Sequence, residues 1–156
     1  MRDEIEAASN FLLHFLLGDK PLSDAQSQAF HRAVRLELTQ KCTQSWHLEH
    51  PEWGSAFRAV ILRPGVAVAL DSADSVIGSG LNAVMQASCP AEADSLRERI
   101  GQAFGGPKSQ PMILWIDPHS VCYRLGDRGT IRYIYQAAWA QSSSLGKSTG
   151  KVMPIY

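Results

Sequence analysis

Neither sign of charge is in excess in this sequence. Fifteen Lys and Arg residues are balanced by fifteen Asp and Glu, so the basic footprint of a duplex-binding surface is missing and no direct nucleic-acid binding is expected. Cysteine is scarce. Cys42, Cys89 and Cys122 are odd in number and scattered, which implies no disulfide framework and fits a reducing compartment. Long hydrophobic runs are absent too: the apolar patch at 11–17 is short and broken by His14, and two acids, Asp3 and Glu4, precede it. That pattern suits neither a signal peptide nor a membrane span, so the expected locations are the cytoplasm and the nucleus.

Catalytic signatures are missing as well. No HExxH or CxxC occurs, and Asp117, His119 and Cys122 lie too close in sequence to resemble the usual assembly of a catalytic pair. Cys42, His47 and His50 lack a fourth metal ligand. Two glycine-rich segments fail as phosphate loops. The one at 101–109 follows a helical pattern and has Pro107 before Lys108, and the one around Gly146-Lys147-Ser148 has Gln141 where the first glycine belongs. No enzyme activity, metal or cofactor is implied.

What the chain does have is 45% hydrophobic residues in 156, enough for the core of one domain. Ile5, Ala8, Leu12, Phe15 and Leu16 recur at helical spacing and predict a helix over 3–17, stopped by Gly18. Within it, Leu13, Leu16 and Leu17 form an LxxLL pattern, which suits either a core face or docking into a coregulator groove. Ser23 and Gln26 predict a capping box, and Phe30, Val34, Leu38 and Cys42 predict a second helix over 24–45. The short connection predicts an antiparallel helical hairpin.

Residues 57–62 predict a strand with Phe57, Ala59 and Ile61 on one face and Arg58, Val60 and Leu62 on the other. Residues 66–70 are a candidate return strand. Residues 71–80, small and polar, predict a loop. Two short helices are predicted over 81–88 and 92–104, parted by Cys89-Pro90. Met112-Ile113-Leu114-Trp115-Ile116-Asp117-Pro118 then reads as a buried strand ending at a corner. Val121 to Leu125 and Thr130 to Tyr135 follow as a hairpin around Gly126-Asp127-Arg128-Gly129. Composition leaves Trp115 open between core and contact. Periodicity is lost after Trp139, so 136–156 is expected to be a flexible tail.

Two ordered patterns carry a resemblance. Trp46…Pro51…Gly54-Ser55-Ala56-Phe57-Arg58 is similar to the first box of the BTG/Tob family of antiproliferative proteins. Leu114-Trp115-Ile116-Asp117-Pro118…Val121-Cys122-Tyr123-Arg124-Leu125-Gly126…Gly129 is similar to its second. The likeness runs from the first helix to about Tyr135, which makes 1–135 the domain. It implies an α+β fold, with helices (the N-terminal hairpin included) packed on a small, mostly antiparallel sheet. It also implies a non-enzymatic adaptor for the DEDD-type deadenylase subunit of the cytoplasmic deadenylase complex, acting on mRNA turnover and proliferation. Contacts carried over by the resemblance are Phe57, Trp115 and Asp117, with Phe57 opening one strand and Trp115 ending another at a common sheet edge. In this likeness a transcriptional coregulator acting through Leu13, Leu16 and Leu17 is the alternative. Self-association through an extra segment at 64–80 is a third reading. Leu145-Gly146-Lys147-Ser148…Lys151-Val152-Met153 faintly resembles a third box that binds poly(A)-binding protein in some members.

Overall fold

A computed structural model describes residues 1–18, 21–63, 74–104 and 109–138. The expected return strand at 66–70, most of the 64–80 segment, the third-box likeness and the tail beyond 138 lie outside these residues.

Helix α1 (Arg2–Leu17) buries Ile5, Ala8, Leu12, Leu16 and Leu17. Asp3 and Glu4 occupy its first turn, where the helix dipole favours acids, and Gly18 closes it with φ 65°. Helix α2 (Asp24–Thr43) starts at the predicted capping box: the Ser23 hydroxyl accepts from Gln26 N at 3.2 Å, and Gln26 Oε1 accepts from Ser23 N at 2.9 Å. Ser9 bonds His31 across the pair at 2.7 Å, and Arg35 bonds Glu6 at 2.6 Å. Positions that rise on one helix as they fall on the other define the expected antiparallel hairpin.

The small-residue segment ahead of Leu81 is not all loop. Helix α3 spans Ser75–Gln86, because the Asp74 carboxylate accepts from Val76 N at 3.1 Å and caps it. Gly80 within it serves close packing. A Cβ on Gly80 would stand 2.7 Å from both Phe30 and Val34, so α2 and α3 approach where a side chain would clash. Small residues that suggest a flexible connection are here the contact surface of a helix. Helix α4 (Pro90–Phe104) follows, with Pro90 in the first turn, where a missing N–H costs nothing.

Four antiparallel strands, β1 (Val60–Leu62), β2 (Met112–Asp117), β3 (Ser120–Leu125) and β4 (Arg132–Gln136), form a sheet in sequence order. The register pairs Val60 with Leu114, Trp115 with Cys122 and Asp117 with Ser120. A bulge between Val121 and Cys122 shifts the pairing to β4. Burial alternates along β2: Met112, Leu114 and Ile116 join the helices in the core, while Ile113, Trp115 and Asp117 are only partly covered. Helix α1 packs across β2, β3 and β4, and α3 meets β1. The result is the expected α+β fold, with the helices gathered on one face of the sheet.

Leu16 and Leu17 are 4% and 3% exposed, and Leu13 packs against the same core. This corrects the coregulator alternative. An LxxLL helix docks by presenting its leucines to a groove, and presenting these would require α1 to leave the sheet. The core-face reading of the pattern holds.

The buried Glu4 and the half-buried His31 make the fold acid-sensitive. Burial, together with the neighbouring Arg35 and His14 charges, pushes the His31 pKa below its ordinary 6.5. Burial pushes Glu4 up, but the N-terminal ammonium at 2.6 Å and the His119 N–H at 2.9 Å outweigh it and hold the carboxyl below 4.5. In both cases the unfolded chain takes up its proton at a higher pH than the folded one. The stability is therefore complete above each ordinary value and is lost as pH falls through the lowered one. Melting temperature should fall between about pH 7 and pH 5, and fall further through the carboxylate range. His31→Gln should flatten the first limb and leave the second. A wild-type melting temperature that is level across the first limb would contradict the assignment to His31.

Candidate functional site

The first box is organised by a buried cation. Residues 46–54 run as a loop of turns, and Gly54, at φ 73°, hands over to a single 3-10 turn, Ser55–Arg58. A Cβ on Gly54 would lie 2.8 Å from the Ser45 Cβ and 3.3 Å from the Arg58 guanidinium, so the glycine is required by fit as well as by backbone. Arg58 is 0% exposed. Its Nε donates to Ile116 O at 2.9 Å, one terminal nitrogen to Trp53 O at 2.8 Å and to Ser45 O, and the other to Pro51 O at 2.6 Å and Asp117 Oδ1 at 2.7 Å. Every N–H of the guanidinium has an acceptor, which is the condition for burying such a charge. The Trp46 ring lies beneath it, 5.8 Å away.

Asp117 is the other half of this frame. Its second oxygen accepts from the Ser55 hydroxyl at 3.0 Å, and its side chain is 19% exposed. One carboxylate therefore holds both ends of the 3-10 turn that carries Phe57. The sequence places Arg58 inside the first box, on the strand face shared with Val60 and Leu62, but does not say which face is buried and gives Arg58 no role. An arginine sharing a face with the apolar Val60 and Leu62, set against an acid ending another strand, was the available signal.

Phe57 departs from the expected geometry. It does not open β1 but sits on the 3-10 turn ahead of it, and its side chain is 75% exposed. The physical reason is the frame: Arg58 and Ser55 fold the backbone back onto Asp117, so pairing with β2 begins only at Val60. Trp115 likewise does not end its strand. It lies within β2, an interior strand, one step past the Val60–Leu114 pair and toward the 3-10 turn. It is no core residue. It points away from the helices, on the face shared with Ile61 and Tyr133, and the Arg124 guanidinium covers its ring at 5.8 Å. The expected common edge is thus a corner, made of the open sheet face and the turn that leads into edge strand β1.

Burial pushes the pKa of the Cys122 thiol up to about 11, with the Asp117 charge adding to it, and burial pushes Cys42 up to about 11 as well; neither is a thiolate at neutral pH. Among the described residues no group of three or more His, Cys, Asp and Glu side chains is placed to hold a metal ion, and no helix is long and apolar enough to cross a membrane. A cleft of about 400 Å³ between the ends of α1 and α4 is lined by Phe15, Leu16, Ile100 and Phe104, away from both boxes.

Among the described residues, four helices on one face of an antiparallel sheet, with two sequence boxes clasped by Arg58 and Asp117, define a small α+β regulatory domain of the BTG/Tob type. The solved BTG/Tob domain of C. elegans FOG-3, in a doubly substituted form, has this fold: the TM-score is 0.59 at 18% identity, over 99% of this chain and 92% of that one. The BTG family model matches residues 1–135, and the chain belongs to the BTG family. Protein BTG1 of Rattus norvegicus is 28% identical over 147 residues, covering 92% of this chain and 72% of that protein. Human protein BTG2 is 27% identical over 138 residues, covering 88% and 75%. Rat protein Tob1 is 27% identical over 135 residues, which make up 31% of its length. The family is one of antiproliferative regulatory proteins and not a family of enzymes.

Proposed function

We propose that this protein is a non-enzymatic adaptor in the cytoplasm and nucleus. It binds the DEDD-type deadenylase subunit of the cytoplasmic deadenylase complex, and so modulates mRNA deadenylation and restrains proliferation. The observation that carries this reading is Phe57, a large aromatic held 75% exposed on a turn whose backbone is fixed by a fully bonded buried arginine. A folded chain gains little from presenting such a side chain to water, whereas a rigid aromatic is the usual anchor of a protein interface. Trp115 supplies a second apolar surface on the open sheet face. Asp117 contributes by holding Ser55 and Arg58, so its part in binding is to position Phe57.

Pull-down of the purified deadenylase subunit by wild type and by Trp115→Ala tests the reading. The variant should capture at least about tenfold less partner, the size of an interface hot spot, and should keep the wild-type circular dichroism spectrum. Equal capture by both would remove Trp115 from the interface. No capture by the wild-type chain would end the adaptor reading.

A further inference from the structure

The loop of turns just ahead of the turn that carries Phe57 holds a second aromatic in solvent. The Trp53 side chain is 55% exposed and stands outside the core cluster. Its orientation is nonetheless fixed. The His50 ring stacks on the indole at 4.1 Å and 13°, His47 meets it edge-on at 5.9 Å, and its amide bonds His50 O at 3.0 Å. Its carbonyl accepts from the same Arg58 guanidinium that fixes the Phe57 turn. Both aromatics are therefore mounted on one rigid frame, four residues apart, and Leu48, earlier in the same loop, is exposed as well. An immobilised indole loses little rotamer freedom on docking, which is the economy of a preorganised anchor.

We propose that Trp53 is a second anchor of the interface, engaging the same deadenylase subunit through a partner surface that is apolar at its centre and basic at its rim. The inference rests on the reading that Phe57 docks that subunit, and it adds a specificity-determining residue to it. Charge selects the partner surface. Residues 44–57 contain no Lys or Arg, while Glu49 and Glu52 are exposed, so the patch favours a basic rim. The same charge disfavours the other common occupant of an exposed indole–imidazole stack, a run of nucleobases, whose phosphates these acids repel.

Calorimetric titration of the purified deadenylase subunit into wild type, Trp53→Ala, Trp53→Phe, Phe57→Ala and the Glu49→Lys/Glu52→Lys pair tests this. Trp53→Ala should weaken binding at least about tenfold with an unchanged melting curve, Trp53→Phe should recover most of the loss, and the charge reversal should slow association at low salt. Wild-type affinity in Trp53→Ala together with lost binding in Phe57→Ala overturns the second anchor and leaves the adaptor reading standing. Absence of binding by wild type overturns both. A parallel anisotropy titration with oligoadenylate in which wild type binds and Trp53→Ala does not would assign the stack to nucleic acid and overturn the proposal.

Discussion

Arg58→Leu should lower the stability of the domain by about 3–5 kcal/mol, the cost of breaking a buried ion pair from one side. The substitution removes donors from the Ile116, Ser45, Trp53 and Pro51 carbonyls and from Asp117 at once. The Asp117 carboxylate keeps only its Ser55 bond, with 19% of its side chain open to water. Against a total of about 5–15 kcal/mol for a typical domain, such a loss leaves a marginal or unfolded chain. Arg58→Lys should rescue little, because an ammonium has three donors on one nitrogen and cannot reach acceptors spread around a planar fork. Arg58→Met combined with Asp117→Asn should recover part of the loss by removing the uncompensated acid. Denaturant titration reads all three. A wild-type midpoint for Arg58→Leu would show that the frame does not hold the domain together.

Phe57→Ala should do the opposite. With 75% of the side chain in solvent, truncation should change stability by no more than about 0.5 kcal/mol. Partner affinity should fall by about 2 kcal/mol or more, roughly thirtyfold. The contrast between neighbouring positions separates contact from scaffold: position 57 loses binding with an intact melt, and position 58 loses binding because the melt is lost. If Phe57→Ala retains wild-type affinity in calorimetry, the exposed aromatic is not the anchor. If it unfolds the chain, the 3-10 turn depends on a packing contact that its exposure does not suggest.

The elements that were legible in the sequence are those whose period is local. The stripe Phe30, Val34, Leu38 and Cys42 gave α2, the Ser23–Gln26 pair gave its start, and the unbroken run to Asp117 gave β2. Misread elements were those whose meaning depends on a distant neighbour. Gly80 of α3 resembles loop until Phe30 and Val34 are seen to occupy the space that a side chain would need. Residues 57–59 resemble the start of a strand until Arg58 and Ser55 reach Asp117, some sixty positions away, and fold the backbone into a 3-10 turn.

By itself the sequence carried the two ordered boxes, and through their likeness to a family it implied the α+β fold class and named Phe57, Trp115 and Asp117 as candidate contacts. Only the tertiary structure decided where those residues stand and which of them is buried. Burial of a guanidinium demands an acceptor for every N–H, and that demand draws Asp117 inward as a clasp. The same clasp turns Phe57 out into solvent and leaves Trp115 on the open face of the sheet.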